Sequence, residues 1–126
     1  MSFKAKYQSV LDIGEEFGIK DGFVNDNTNR LEIGGVAATQ YEKDIIWNKI
    51  KEIGGENPTD IMADIKVENT AYYHKHTVEK GDTLGKIAKQ YYGKAGAYMK
   101  IFEANSNILK DPNVIFPDQE LIIPNL

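Results

Sequence analysis

The sequence predicts an α+β fold in two modules, an αββαβ unit over residues 1–70 followed by a βααβ unit over residues 71–126. Apolar residues recur at helical spacing in some stretches and alternate at strand spacing in others, with Gly, Asn, Asp and Pro between them. Charge divides the chain at the same place. Residues 1–70 hold 8 basic and 13 acidic side chains, a net −5, and residues 71–126 hold 7 and 6, a net +1. A length of 126 residues suits one ordinary domain or two small ones, which excludes a large multi-step enzyme.

In the first module Tyr7, Val10, Leu11, Gly14 and Phe17 fall on one stripe, so a helix is expected over about 4–17, closed by Gly18. Residues 22–25 and 30–36 read as two strands of a hairpin around Asp26-Asn27-Thr28-Asn29, residue types that accept turn geometry. Thr39 followed three positions later by Glu42 fits a capping box, and Ile46, Ile50 and Ile53 continue one face, so a second helix spans about 39–53. Gly54-Gly55 and Asn57-Pro58 stop it, and residues 61–67 supply a strand with Ile61, Ala63, Ile65 and Val67 on one side. Glu68-Asn69-Thr70-Ala71 reads as a short polar joint.

In the second module Tyr73, Lys75 and Thr77 alternate with His74, His76 and Val78 as in a strand. Gly81 permits a tight turn, Asp82 or Thr83 can cap a helix, and Leu84, Ile87, Ala88 and Tyr91 form its buried stripe. A further helix starts near Ala97 with Tyr98, Ile101, Phe102 and Asn105 on one face, and residues 119–124 form the last strand.

Several function classes lose their residues at this stage. The chain has no Cys, which removes disulfides, thiolate nucleophiles and thiolate metal ligands. Its scattered, balanced lysines make no nucleic-acid footprint, and no apolar run is long enough to span a membrane. His74 and His76 project to one face and could bind a metal, but they lack an evident third ligand and read as packing or exposed residues. Ser2, Ser9 and Ser106 have no partnered base, and Glu15-Glu16 are neighbours on a helix rather than a pair across a cleft. A non-enzymatic protein is expected. The first residues do not read as a secretory signal, so a cytoplasmic protein is expected, with cell-envelope association as the other setting.

Two resemblances add to this reading. The αββαβ order, with Gly34-Gly35 just before the second helix, resembles the BON domain of bacterial envelope and stress proteins, in which Trp47 would be a core or interface anchor. The segment from His76 to Pro124 resembles a LysM domain. It carries Val78-x-x-Gly81-Asp82-Thr83-Leu84-x-x-Ile87-Ala88, then Ile101-Phe102-x-Ala104-Asn105, then Ile115-x-Pro117-x-Gln119-x-Leu121-x-Ile123-Pro124. Asp118 stands where the family usually has Gly, and Asp tolerates a left-handed backbone better than most residues.

The LysM resemblance implies binding of N-acetylglucosamine polymers such as peptidoglycan or chitin. Carried over by position, the groove would be formed by Gly81, Asp82, Thr83 and Leu84 facing Asn107, Ile108, Leu109, Ile115 and Phe116. An acetamido sugar offers an amide for backbone groups, a methyl for an apolar wall and a ring face for stacking. Each residue also has a folding role: Gly81, Asp82 and Thr83 turn the chain and cap a helix, and Leu84, Ile115 and Phe116 can be core. The BON–LysM order further resembles the bacterial potassium-binding protein family, which implies K⁺ as a ligand that rearranges the two domains, held by backbone carbonyls. A scaffold part in a bacterial or phage assembly is the third reading.

Overall fold

A computed structural model describes residues 2–27 and 29–126 and divides the chain into two compact units, 1–70 and 71–126. The first unit runs α1 (Phe3–Lys6), α2 (Gln8–Phe17), β1 (Lys20–Asp26), β2 (Leu31–Thr39), α3 (Gln40–Gly54) and β3 (Ile61–Asn69). The second runs β4 (His74–Thr77), α4 (Leu84–Tyr92), a 3₁₀ turn (Ala95–Ala97), α5 (Tyr98–Ala104) and β5 (Glu120–Ile123). Mixed helix and strand confirm the α+β class.

In the first unit β2 is the central strand, antiparallel to β1 and parallel to β3, with α3 as the crossover that a parallel pair requires. Leu31, Ile33, Ile61 and Ile65 from the sheet meet Tyr7, Val10, Ile46 and Ile50 from the helices in the core, with Trp47 packed partly buried against them. Thr39 caps α3 by accepting from the Glu42 N–H, and Glu42 Oε1 in turn accepts from the Ala38 N–H.

Three local expectations are corrected. The helix over 4–17 is interrupted at Tyr7 (φ −103, ψ 20), whose buried ring sends its hydroxyl to Asp60 Oδ1 at 2.5 Å. The joint is shorter than expected, because β3 continues through Glu68 and Asn69 as long as β2 offers it a partner, Thr39 pairing with Asn69. Tyr98 is exposed, since α5 begins there and buries only Ile101 within its span. Of the hairpin turn, Thr28 lies outside the described residues; Asn27 Oδ1 accepts from the N–H groups of Asn29 and Arg30.

In the second unit β4 and β5 form an antiparallel pair, His74 opposite Ile123 and His76 opposite Leu121. Val78, Leu84, Ile87, Ala88, Tyr91, Ile101, Leu109, Leu121 and Ile123 are its buried apolar side chains. Tyr92 is half-buried and donates its hydroxyl to the Pro124 carbonyl, so the adjacent tyrosines divide between core and rim.

Candidate functional site

The first loop of the expected groove is built from the end of β4. The ladder continues past Thr77, with Val78 N–H donating to Gln119 O and Asp118 N–H to Val78 O, both at 2.8 Å. A turn then closes, Asp82 N–H reaching Glu79 O at 3.0 Å, with Gly81 at φ 91. Only glycine takes that conformation without strain, and no heavy atom lies within 4 Å of where a Cβ would stand. The backbone there is open to an approaching ligand.

Asp82 and Thr83 have their side chains engaged inside the loop. Asp82 Oδ2 accepts from the Glu79 N–H and from His76 Nε2, each at 2.9 Å. The bond from His76, and next the one from the Glu79 N–H, hold its carboxyl below the usual carboxylate range. A carboxylate depressed in this way adds stability that is present above its unfolded pKa, about 4, and is lost as pH falls through the lower folded value. Acidifying from pH 6 to pH 3 should therefore destabilise the second unit, and Asp82→Asn should flatten that dependence in urea titrations.

Thr83 Oγ accepts from the Lys86 N–H at 3.1 Å with extended backbone, the geometry of an N-cap. Thr83→Ala should lower stability by about 1 kcal/mol and leave sugar affinity within about twofold, if the hydroxyl serves the cap and its remaining O–H makes no bond to the sugar. Chemical denaturation beside calorimetric titration with chitin oligomers checks both halves of that expectation.

The second loop is pinned at both ends. The N–H groups of Ile108 and Leu109 both donate to Asn105 O, Asn113 N–H donates to Asp111 Oδ1, and Phe116 N–H donates to Gln119 Oε1 at 2.8 Å. Asp118 takes the left-handed conformation expected of it, φ 73. Such a loop keeps its backbone shape without relying on a ligand.

Exposure sorts the expected groove residues. Ile108 is 43% exposed and Phe116 61%, Asn107 is exposed, and Ile115 is half-buried. Leu84 and Leu109 are each 2% exposed. Their side chains fill the core under the two loops, so neither is an apolar wall; any ligand contact they make runs through backbone. Val114, 46% exposed beside Ile115, is an apolar surface residue that sequence reasoning passed over. Its hint was only its place between two family words.

His74 and His76 do share a face, and both pack against the Tyr91 ring at centroid distances of 5.5 and 5.4 Å. His76 has both ring nitrogens engaged, Nδ1 with Tyr91 Oη at 2.7 Å and Nε2 with Asp82. Burial, and secondly the neighbouring His76, push the His74 pKa down. Among the described residues no group of three His, Cys, Asp or Glu could hold a metal ion. Ser2 serves as a helix cap, accepting from the Ala5 N–H.

The first unit has a feature with no counterpart in the sequence reading, an apolar cavity of about 470 Å³. Val10, Ile33, Ile46 and Ile65 form its floor, with Phe23 and Lys4 also lining it. Gly14, Gly22 and Gly34 line it too.

Residues 76–124 match the LysM domain. This segment is a LysM domain. The chain is also similar to a potassium binding protein, Kbp, of Escherichia coli O6:H1, 40% identical over 95 residues, which cover 75% of this chain and 63% of that protein. An uncharacterized protein of Deinococcus radiodurans is 33% identical over 94 residues, 75% of this chain and 29% of the relative. The matched span is thus less than two thirds of either relative's length. Both alignments are longer than the LysM domain's unit and so extend into the first unit. Among the described residues no helix is long and apolar enough to cross a membrane.

Proposed function

We propose that this chain is a non-catalytic binding protein whose LysM domain recognises glycans containing N-acetylglucosamine. The observation that carries this reading is the second unit's surface: open backbone at Gly81 in one loop, and exposed Ile108 and Phe116 on the other, which is pinned by hydrogen bonds. Backbone amide and carbonyl groups suit the acetamido group, and the exposed aliphatic and aromatic side chains suit its methyl and the sugar face. Asn107 adds an exposed amide to the same loop. Calorimetric titration with chitin oligomers and, in parallel, with cellulose oligomers tests the reading. Saturable heat from the acetylated sugar alone supports it; equal heats, or none from either, contradict it.

Potassium binding is the second reading. It is supported by the relative named potassium binding protein, whose likeness extends beyond the LysM domain into the first unit. On this reading the first unit is BON-like and the ion is held through backbone carbonyls. Thermal unfolding in KCl and in NaCl at matched ionic strength separates it from general salt effects. A K⁺-selective rise in melting temperature supports it, and identical curves contradict it.

A further inference from the structure

We propose that His76 is the positioning residue of the glycan surface: from β4 it fixes the 79–82 turn through Asp82, so a ring outside the expected contact residues sets the backbone that meets the sugar. This rests on the glycan reading above. The chain of contacts begins in the core. Tyr91 of α4 is buried, and its ring meets the His76 ring edge-on, interplanar angle 78°, while its hydroxyl lies 2.7 Å from Nδ1. Only 12% of the His76 side chain is exposed. Two contacts on a rigid helix therefore determine where Nε2 points.

Nε2 points at Asp82 Oδ2, and the same oxygen accepts the Glu79 N–H. A carboxylate can only accept, so Nε2 carries the hydrogen, and in the neutral ring Nδ1 is left to accept from the Tyr91 hydroxyl. Every polar group of the trio is then satisfied with the imidazole uncharged. When the imidazole is protonated, Nδ1–H donates to the Tyr91 oxygen and the bond to Asp82 persists. The first residue of the turn and its last are thus tied to one oxygen that is tied to the core. Lys86 adds a weaker outer tie, Nζ to Gly81 O at 3.3 Å. Nothing comparable links Asp82 to the core if the imidazole is removed, since its other bond is made within the turn itself.

The test uses the full chain, His76→Phe, and three readouts. Phenylalanine keeps a ring against Tyr91 and removes both hydrogen bonds. We expect the Asp82 carboxyl, followed by ¹³C chemical shift, to titrate closer to the ordinary aspartate range. Hydrogen exchange at the Glu79 amide should quicken about tenfold, and affinity for chitin oligomers should fall about tenfold, the size of a lost charge-assisted hydrogen bond. His76→Gln, which can return one N–H to Asp82, should recover part of the affinity. Asp82→Ala cuts the same link with the ring in place, whereas an asparagine oxygen could still accept both bonds. Asp82→Ala carries the test if His76→Phe does not fold, and the double variant should be no weaker than the worse single variant. Sugar binding by the wild type with unchanged affinity in folded His76→Phe, or in Asp82→Ala where His76→Phe does not fold, overturns the proposal alone. Absence of sugar binding by the wild type overturns the glycan reading and this role with it, even if the carboxyl and amide readouts move.

Discussion

Asn105→Ala is expected to destabilise the second unit by about 3 kcal/mol, through the loss of hydrogen bonds and the stranding of buried backbone groups. Asn105 is 2% exposed, and its amide works in three directions. Nδ2 donates to Ile101 O at 2.7 Å and to Ile122 O at 2.8 Å, while Oδ1 accepts from the Ile122 N–H at 2.9 Å. The side chain thereby acts as a surrogate neighbouring strand for the edge of β5 that β4 does not cover. Alanine removes all three bonds at once and leaves both polar groups of Ile122 without their partner. Asn105→Asp should be no milder, since a carboxylate accepts the one N–H but faces two carbonyl oxygens. Urea unfolding followed at second-unit resonances checks this, and a change below about 0.5 kcal/mol, the range of ordinary surface substitutions, would show that water replaces the amide.

Gly35→Ala should damage the first unit by a similar amount, about 3 kcal/mol, because conformation and space both oppose a side chain there. Gly35 holds φ 150 within β2, and an added Cβ would stand 2.4 Å from Ile19 Cγ2 and 2.9 Å from the Lys20 carbonyl oxygen. The aliphatic branch could turn aside, but the carbonyl belongs to β1, whose pairs with β2 flank Gly35 on both sides, Lys20 with Val36 and Phe23 with Gly34. Relief requires the two strands to part. Gly85→Ala is the matched contrast: it lies inside α4 with ordinary φ and only Thr83 Oγ near, at 4.0 Å. That change should raise stability by about 0.5–1 kcal/mol through the unfolded chain's lost freedom. Melting temperatures of the two variants should move in opposite directions; movement in the same direction would contradict the contrast.

Periodicity carried most of the architecture because the stripes it detects are the faces that fold inward. Ile46 and Ile50, or Leu84, Ile87, Ala88 and Tyr91, are buried where their spacing put them. The misreadings occur where pairing or a turn, rather than side-chain type, decides the outcome. Glu68 and Asn69 have polar side chains suited to a loop, yet backbone pairing with β2 keeps them in strand. Leu109 looks like loop surface beside Ile108, but the bond of its N–H to Asn105 O belongs to a turn that carries the side chain into the core.

The candidate site was legible in part for the same reason. Gly81, Thr83 and Asp118 announce backbone geometry, a property of the residue type itself. The His76, Asp82 and Tyr91 trio joins a strand, a turn and a helix, and no spacing rule marks it. The two histidines read as packing or exposed residues, and both pack against the Tyr91 ring, but His76 also spends both nitrogens on a tyrosine and an aspartate. The cavity of the first unit takes its lining from three helices and three strands, so it too has no linear signature.

Titrating the ¹⁵N-labelled full chain with a chitin oligomer, residue by residue, bears most directly on the glycan assignment. Saturable shifts should concentrate at residues 81–84 and at 107–109 and 114–116, with the first unit unmoved and KCl unable to mimic them. A flat response in those loops, with K⁺ but not Na⁺ shifting resonances in both units, would contradict the glycan account and transfer the function to ion binding.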